Sequence, residues 1–487
     1  MRLAGTLSIA LASVGCAGAV SLPGSLPDSA AVPLLVDDRP ARFEGDFEAR
    51  LRAAPPTSRL VALVDLRDQV DLDALGRRLD AAGVAKRERR TAVVRALEAI
   101  AEESQAALRP ELDQRVARGE IDYWRGFAIV NRILVEGKPS GILALANLET
   151  VAWIRPDWTS ERRGRLEATL TPEGAPVPER FTSWGVVATG APALWAQGID
   201  GTGVVVASID TGVAGNHEQF AGRMLPAPAG WFDPVEGTTA PRDNHGHGTS
   251  VLSVAVGGNA AGKIVGIAPG ATWASALGNW KNHYSRSRMT QAADWIFRVV
   301  RPDVLVNAWS HDEDGPCQSF DLPFVRAWQA AGTFVVFPAG NAGPGEATGE
   351  SPAELTGGFP DGGPLVSVAG LAPNGTIHPR SSRGPSRCGA DPFPTFAAPG
   401  ADLPYAYAGD PTGYASGQGT SLAAGVVAGG AALLLQAVPE ASPADLALAF
   451  RESARDVPPP GDDPAAGAGA IDLPRALARL REIAGER

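Results

Sequence analysis

Metal-binding and redox side chains are scarce in this chain: of 487 residues, 3 are cysteine and 6 are histidine. A His-based metal centre needs several ligands at close spacing. His245 and His247 lie two apart, but no cysteine or carboxylate cluster completes a site around them, so no metal ligand is assigned. Excess positive charge is also missing. With 43 Lys and Arg against 54 Asp and Glu, the net charge is −11, which argues against a general nucleic-acid partner. Long apolar runs are missing too. Past the first residues, no segment reaches the roughly 18 uncharged apolar residues a bilayer span requires. Leu422–Gln436 is shorter, interrupted by glycine, and reads as a core helix.

What is present suits a large folded chain. A hydrophobic content of 44% supplies a sizeable core, and 57 Gly with 41 Pro supply many turns. The length predicts two or three domains. Residues 1–19 read as an export signal: Arg2, then the moderately apolar Leu3–Val14, then the A-x-A-like Ala17-Gly18-Ala19. A second reading takes Ser13-Val14-Gly15-Cys16 as a lipoprotein box with Cys16 lipidated. Either way the chain is expected to be secreted or extracytoplasmic, and Cys317 and Cys388 remain. In an oxidising compartment they form a disulfide or stay as two separate thiols, because sequence does not supply the Cα separation a bridge needs.

Residues 20–56 are rich in Pro, Ala and Asp and read as a linker. Residues 57–158 read as a compact α+β domain. Leu60–Leu66 is strand-like, and Leu72, Leu75 and Leu79 mark one helix face. Val93, Leu97, Ile100, Leu108, Leu112 and Val116 continue a helical period with a kink expected at Pro110. Phe127–Val135 is β-rich, Ile142, Leu145 and Leu148 suggest another helix, and Val151–Ile154 a last strand. The order β, α, β, β, α, β is ferredoxin-like with a helical insertion. A Pro- and Arg-containing linker, 159–183, follows. In 184–487, apolar strands at 204–209, 304–309, 334–337 and 366–371 alternate with helical segments near 248–257, 289–300 and 321–331. That alternation predicts an α/β fold, a parallel sheet with helices on both faces.

Three motifs in this last region carry chemistry. Val204-Val205-Val206-Ala207-Ser208-Ile209-Asp210 is a buried-strand pattern ending in a carboxylate. Asp243-Asn244-His245-Gly246-His247-Gly248-Thr249 places an imidazole where an apolar helix opens, and Gly419-Thr420-Ser421 places a hydroxyl at the start of another. Each alone is ordinary: an Asx turn, a loop histidine, an N-cap. Together they offer a weak nucleophile, a base and a carboxylate to orient the base. The chain order Asp, His, Ser is the subtilisin order.

On these motifs the chain resembles the subtilisin-like serine peptidases, with Asp210, His247 and Ser421 at the triad positions. Phe337-Pro338-Ala339-Gly340-Asn341 resembles the family's oxyanion loop, with Asn341 as side-chain donor. The resemblance implies that Ala308, Trp309, Ser310 and Gly340 bind substrate. Tyr123–Asn131 and Leu148–Asp157 resemble the inhibitory propeptide of the bacillopeptidase F branch, which makes 57–158 the chain's own inhibitor and 159–183 the maturation linker. The implied partner is a protein or peptide substrate, and the family admits structural calcium, although no acidic loop for it is identified. Ser250, Ser310, Leu422 and Gly425 depart from the family's usual His, Gly, Met and Pro. Ser310 adds a side chain where backbone should approach a substrate, so an alternative is a weakly active or inactive peptide-binding protein that captures extended chains by β-augmentation.

Overall fold

The computed structural model describes residues 32–37, 39–157, 169–170, 178–281, 283–310, 316–355, 365–389 and 392–485. The expected signal, the lipidation site at Cys16 and most of the 159–183 linker lie outside them.

The N-terminal unit contains β1 (Leu34–Val36), β2 (Arg42–Phe43), α1 (Phe47–Ala53), β3 (Leu60–Leu66), β4 (Asp68–Val70), α2 (Leu72–Ala81), α3 (Lys86–Ala117), β5 (Ile121–Phe127), β6 (Arg132–Gly137), α4 (Pro139–Ala144) and β7 (Val151–Pro156). Its sheet runs β2-β7-β3-β6-β5. The four strands β7-β3-β6-β5 are antiparallel throughout, the ferredoxin-like order with the first and third strands at the centre and the last beside the first. One sequence expectation changes here. Residues 42–53 are not linker: β2 pairs with β7, and Phe47 and Leu51 are buried against Ile142 and Leu145. A Pro/Ala-rich composition hid two core residues spaced four apart. Pro110 does not interrupt α3, which runs unbroken through it. The β-rich stretch 127–135 is the turn between β5 and β6 with their adjoining ends.

Next come β8 (Thr169–Leu170), β9 (Phe181–Thr182), α5 (Trp184–Ala188), α6 (Ala191–Trp195), β10 (Val205–Asp210), β11 (Trp231–Phe232), α7 (His247–Val256), β12 (Asn259–Ala260), β13 (Lys263–Ile264), β14 (Thr272–Leu277) and α8 (Arg286–Trp295). The chain ends with β15 (Val304–Val306), α9 (Leu322–Ala330), β16 (Phe334–Pro338), β17 (Ser367–Leu371), β18 (Phe396–Pro399), β19 (Leu403–Ala406), β20 (Tyr414–Gln418), α10 (Thr420–Ala437), α11 (Pro443–Ser453) and α12 (Leu473–Gly485). The large sheet, β11-β14-β10-β15-β16-β17-β18, is parallel throughout. Strand residues alternate between its two faces. Val206, Val304, Val306, Phe334 and Val336 pack with α7, α10 and α12, while Ala207, Ile209, Leu305, Val335 and Phe337 pack with α8 and α9.

That second face continues into the N-terminal unit: Leu63, Leu75, Leu79, Val93, Leu97, Phe127 and Leu134 share its core. Polar contacts line the same junction. Asp294 Oδ1 of α8 accepts the Ala128 and Ile129 N–H groups at 2.9 and 3.1 Å. Arg90 meets Asp303 at 2.9 Å and Arg326 meets Asp73 at 2.8 Å. The helix α10 is long and apolar enough to cross a bilayer, but its 18-residue window is 89% buried inside the protein. Cys317 and Cys388 are joined, with Cα atoms 5.4 Å apart, which closes the alternative of two thiols.

Candidate active site

Asp210 ends β10, where the strand leaves the sheet at its carboxyl edge, the position at which open α/β sheets build sites. His247 opens α7 and Ser421 is the second residue of α10. The two helices are packed in register. A Cβ on Gly425 would lie 2.7 Å from the Val251 carbonyl, and one on Gly429 would lie 2.5 Å from that of Ala255. Val251 and Gly425 each lie one helical turn past His247 and Ser421, so the imidazole and the hydroxyl start two helices side by side. The close approach also explains Gly425, where a ring would strike the α7 backbone. Ser250 turns its hydroxyl back to the His247 carbonyl at 2.7 Å and stays clear of the site.

His247 Nδ1 stands 2.7 Å from Asp210 Oδ1, and the same oxygen accepts the Thr211 N–H at 2.7 Å. That pairing places the proton on Nδ1 and leaves Nε2 as the basic nitrogen. Nε2 is buried without a partner. Ser421 Oγ donates instead to the Ala308 carbonyl at 3.3 Å. Asp210, His247 and Ser421 are at most 1% exposed. The His247 loop is held by Asp243, whose carboxylate accepts from the N–H groups of His245, Gly246 and Thr249 and from the hydroxyls of Thr211 and Thr249.

Asn341 follows β16 in the loop that faces α10. Its Oδ1 accepts the Thr420 N–H at 3.1 Å and the Thr420 hydroxyl at 3.3 Å. With Oδ1 so committed, Nδ2 is the amide's donor. Gly340 has φ +110°, a conformation that favours glycine, and a Cβ there would meet Ser382 Oγ at 2.7 Å and the Glu350 carboxyl at 3.2 Å.

The expected substrate residues divide. Ala308 presents its carbonyl beside Ser421. The Trp309 side chain is 3% exposed and packs edge-on against Phe337, so only its backbone borders the site. The strand expected over 304–309 pairs as β15 only to 306, and 307–310 runs on from it toward the site. Ser310 Oγ donates to Glu350 Oε2 at 2.5 Å. His217 lies apart as a buried structural group: Nε2 meets the Gly413 carbonyl at 2.8 Å, and Nδ1 accepts the Gln219 N–H at 3.1 Å. Burial holds its pKa below the ordinary value.

Three contributors escape a reading by motif. Asp243 and Thr420 sit inside the motifs, but their work appears only as hydrogen bonds between loops. Glu350 lies ten residues past Gly340 with no local signal. One short strand also matters: β8 pairs antiparallel with β20, setting Thr169 against Gln418 and Leu170 against Gly417. Thr169 and Leu170 therefore lie along the strand that leads to Ser421. Among the described residues, no group of three or more His, Cys, Asp or Glu is placed to hold a metal, so the calcium that the family admits has no carboxylate cluster here.

The subtilase family model matches residues 201–469, more than half of the chain, and includes Asp210, His247, Asn341 and Ser421. This chain belongs to the subtilase family. Bacillopeptidase F of Bacillus subtilis (strain 168) is 29% identical over 388 residues, covering 72% of this chain and 26% of that protein. Serine protease AprX of the same organism is 29% identical over 278 residues, covering 51% of this chain and 60% of AprX. The subtilase thus spans about a quarter of one relative and three fifths of the other. Among solved structures, fervidolysin from Fervidobacterium pennivorans, described as a keratinolytic enzyme related to subtilisin, superposes with a TM-score of 0.63 at 20% identity. That superposition covers 93% of this chain and 65% of fervidolysin, and it supports the fold.

Proposed function

We propose that this subtilase is an exported serine endopeptidase, made as a zymogen, that cleaves peptide bonds through an acyl-enzyme. The observation that carries the proposal is the 2.7 Å contact between Asp210 and His247, with Nε2 left unpartnered at the mouth of α7. Ser421 Oγ turns from the Ala308 carbonyl to Nε2, which takes its proton as the hydroxyl attacks the scissile carbonyl. Asp210 keeps the imidazole in the required tautomer and stabilises the imidazolium. The developing oxyanion is met by Asn341 Nδ2 and the Ser421 N–H. His247 then protonates the leaving amine, and water repeats the sequence on the ester.

The N-terminal unit is read as an intramolecular inhibitor and folding partner. Its shared core with α8 and α9 and the pairing of β8 with β20, the strand that precedes Ser421, support this. Export is supported by the residues 1–19 pattern and by the disulfide. The alternative, peptide capture without cleavage, drew on the Ser310 side chain as an obstruction, and that side chain is turned toward Glu350.

A fluorophosphonate probe applied to the product secreted on expression of the full chain tests the proposal. Labelling at Ser421 and its loss in Ser421→Ala support it. Peptide binding with no labelling overturns it in favour of capture.

A further inference from the structure

Glu350 stands out among the acids of this region because no ion pair reaches it among the described residues. Glu354, four residues on, is fully buried and paired with Arg387. Glu350 is half-buried, and its one hydrogen bond comes from Ser310 Oγ to Oε2. No cation among the described residues pairs with it, and Oε1 accepts no hydrogen bond. It touches both walls of the candidate site. Ser310 lies two residues past Ala308, whose carbonyl receives the Ser421 hydroxyl. Gly340 precedes Asn341, and its missing Cβ is what leaves the carboxyl room, 3.2 Å away.

We propose that Glu350 selects peptides with Arg or Lys immediately before the scissile bond. This rests on the proposed peptidase reading and adds the substrate class. An acyl carbon on Ser421 Oγ with its oxygen toward Asn341 Nδ2 directs its own side chain between 308–310 and 339–341. The carboxylate of Glu350 lies between those segments. A guanidinium or ammonium arriving there gains a charge-assisted hydrogen bond to Oε1 in a partly desolvated setting. It also offsets a negative charge that would otherwise oppose the oxyanion forming next to Gly340. Ser310, the departure from the family's usual glycine, fixes the carboxylate by holding Oε2. The chain's own linker carries Arg162, Arg163 and Arg165 ahead of β8, the residue type such a pocket takes.

The test is a matched peptide pair that differs only in arginine against citrulline, its neutral isostere, before the scissile bond. It is run on the product of full-chain expression and on Glu350→Gln. The readout is the Arg-to-citrulline ratio of kcat/KM within each protein, which does not depend on the active fraction. The expected ratio is about tenfold to a hundredfold, the range of a hydrogen bond to a charged group, falling to near one in the variant. A wild-type ratio near one overturns the assignment whether or not the variant folds, and so does a ratio that Glu350→Gln leaves unaltered. Hydrolysis of neither peptide, nor of a mixed peptide library, overturns the peptidase reading and this assignment with it.

Discussion

Asp157 caps α8 from outside its own unit: Oδ1 accepts the Ser287 N–H at 3.0 Å, and Oδ2 accepts the Ser287 hydroxyl at 2.6 Å. The carboxylate thus meets the positive end of a helix of the peptidase domain. It does so one residue after β7, where the N-terminal unit gives way to the linker.

The junction is therefore expected to depend on its buried acceptors. In a Ser421→Ala background that prevents self-processing, Asp294→Ala should lower stability by about 1–3 kcal/mol, because two backbone N–H groups lose their acceptor. Thermal unfolding should show the unit detaching first. An unchanged profile would mean that the apolar contacts alone hold it.

Ser421→Ala should abolish peptide hydrolysis and leave the precursor uncut between 159 and 183. Gel mobility and N-terminal sequencing of the purified precursor read this directly. Normal processing of the mutant in isolation would rule out self-cleavage.

Asn341→Ala should reduce kcat by about a hundredfold to a thousandfold, the magnitude known for subtilisin's own oxyanion asparagine, with little change in KM. The Nδ2 donor acts when charge appears on the oxygen, so it favours the transition state over the bound substrate. A rise in KM at constant kcat would make Asn341 a positioning residue.

Breaking the Cys317–Cys388 bridge should cost roughly 4 kcal/mol, given that it closes a loop of 71 residues. The loop contains Gly340, Asn341 and Glu350. Cys317→Ser with Cys388→Ser should therefore lower the unfolding midpoint in denaturant. Equal midpoints for the double variant and the parent would show that packing alone fixes the loop.

Acid should weaken the hairpin of β19 and β20 through His217. Burial keeps its folded pKa below the ordinary 6.5. Below pH 6.5 the unfolded chain takes up a proton that the folded ring refuses, so stability falls as pH drops from there toward the folded pKa, and is complete above 6.5. Thermal unfolding of Ser421→Ala protein between pH 7.5 and 5.5 should show that slope. His217→Asn should flatten it, and an identical slope would place the titration elsewhere.

The order Asp210, His247, Ser421 was legible in the sequence because each sits at the end of a strand or the start of a helix, and such ends carry local signals: apolar runs, glycines, small caps. The β, α, β, β, α, β succession of 57–158 and the strand–helix alternation of the large domain followed from periodicity, which is also local. What the sequence did not carry is everything made by contact between distant segments. Phe47 and Leu51 lay hidden in a Pro/Ala-rich stretch because burial, not composition, makes them core. Thr420 holds Asn341 across 79 residues, Ser310 meets Glu350 across 40, and β8 lies on β20 across nearly 250. Motif and period fix what each segment is. Only the folded chain decides which carboxylate ends against Ser310 and Gly340, because that depends on loops whose paths no nearby residue dictates.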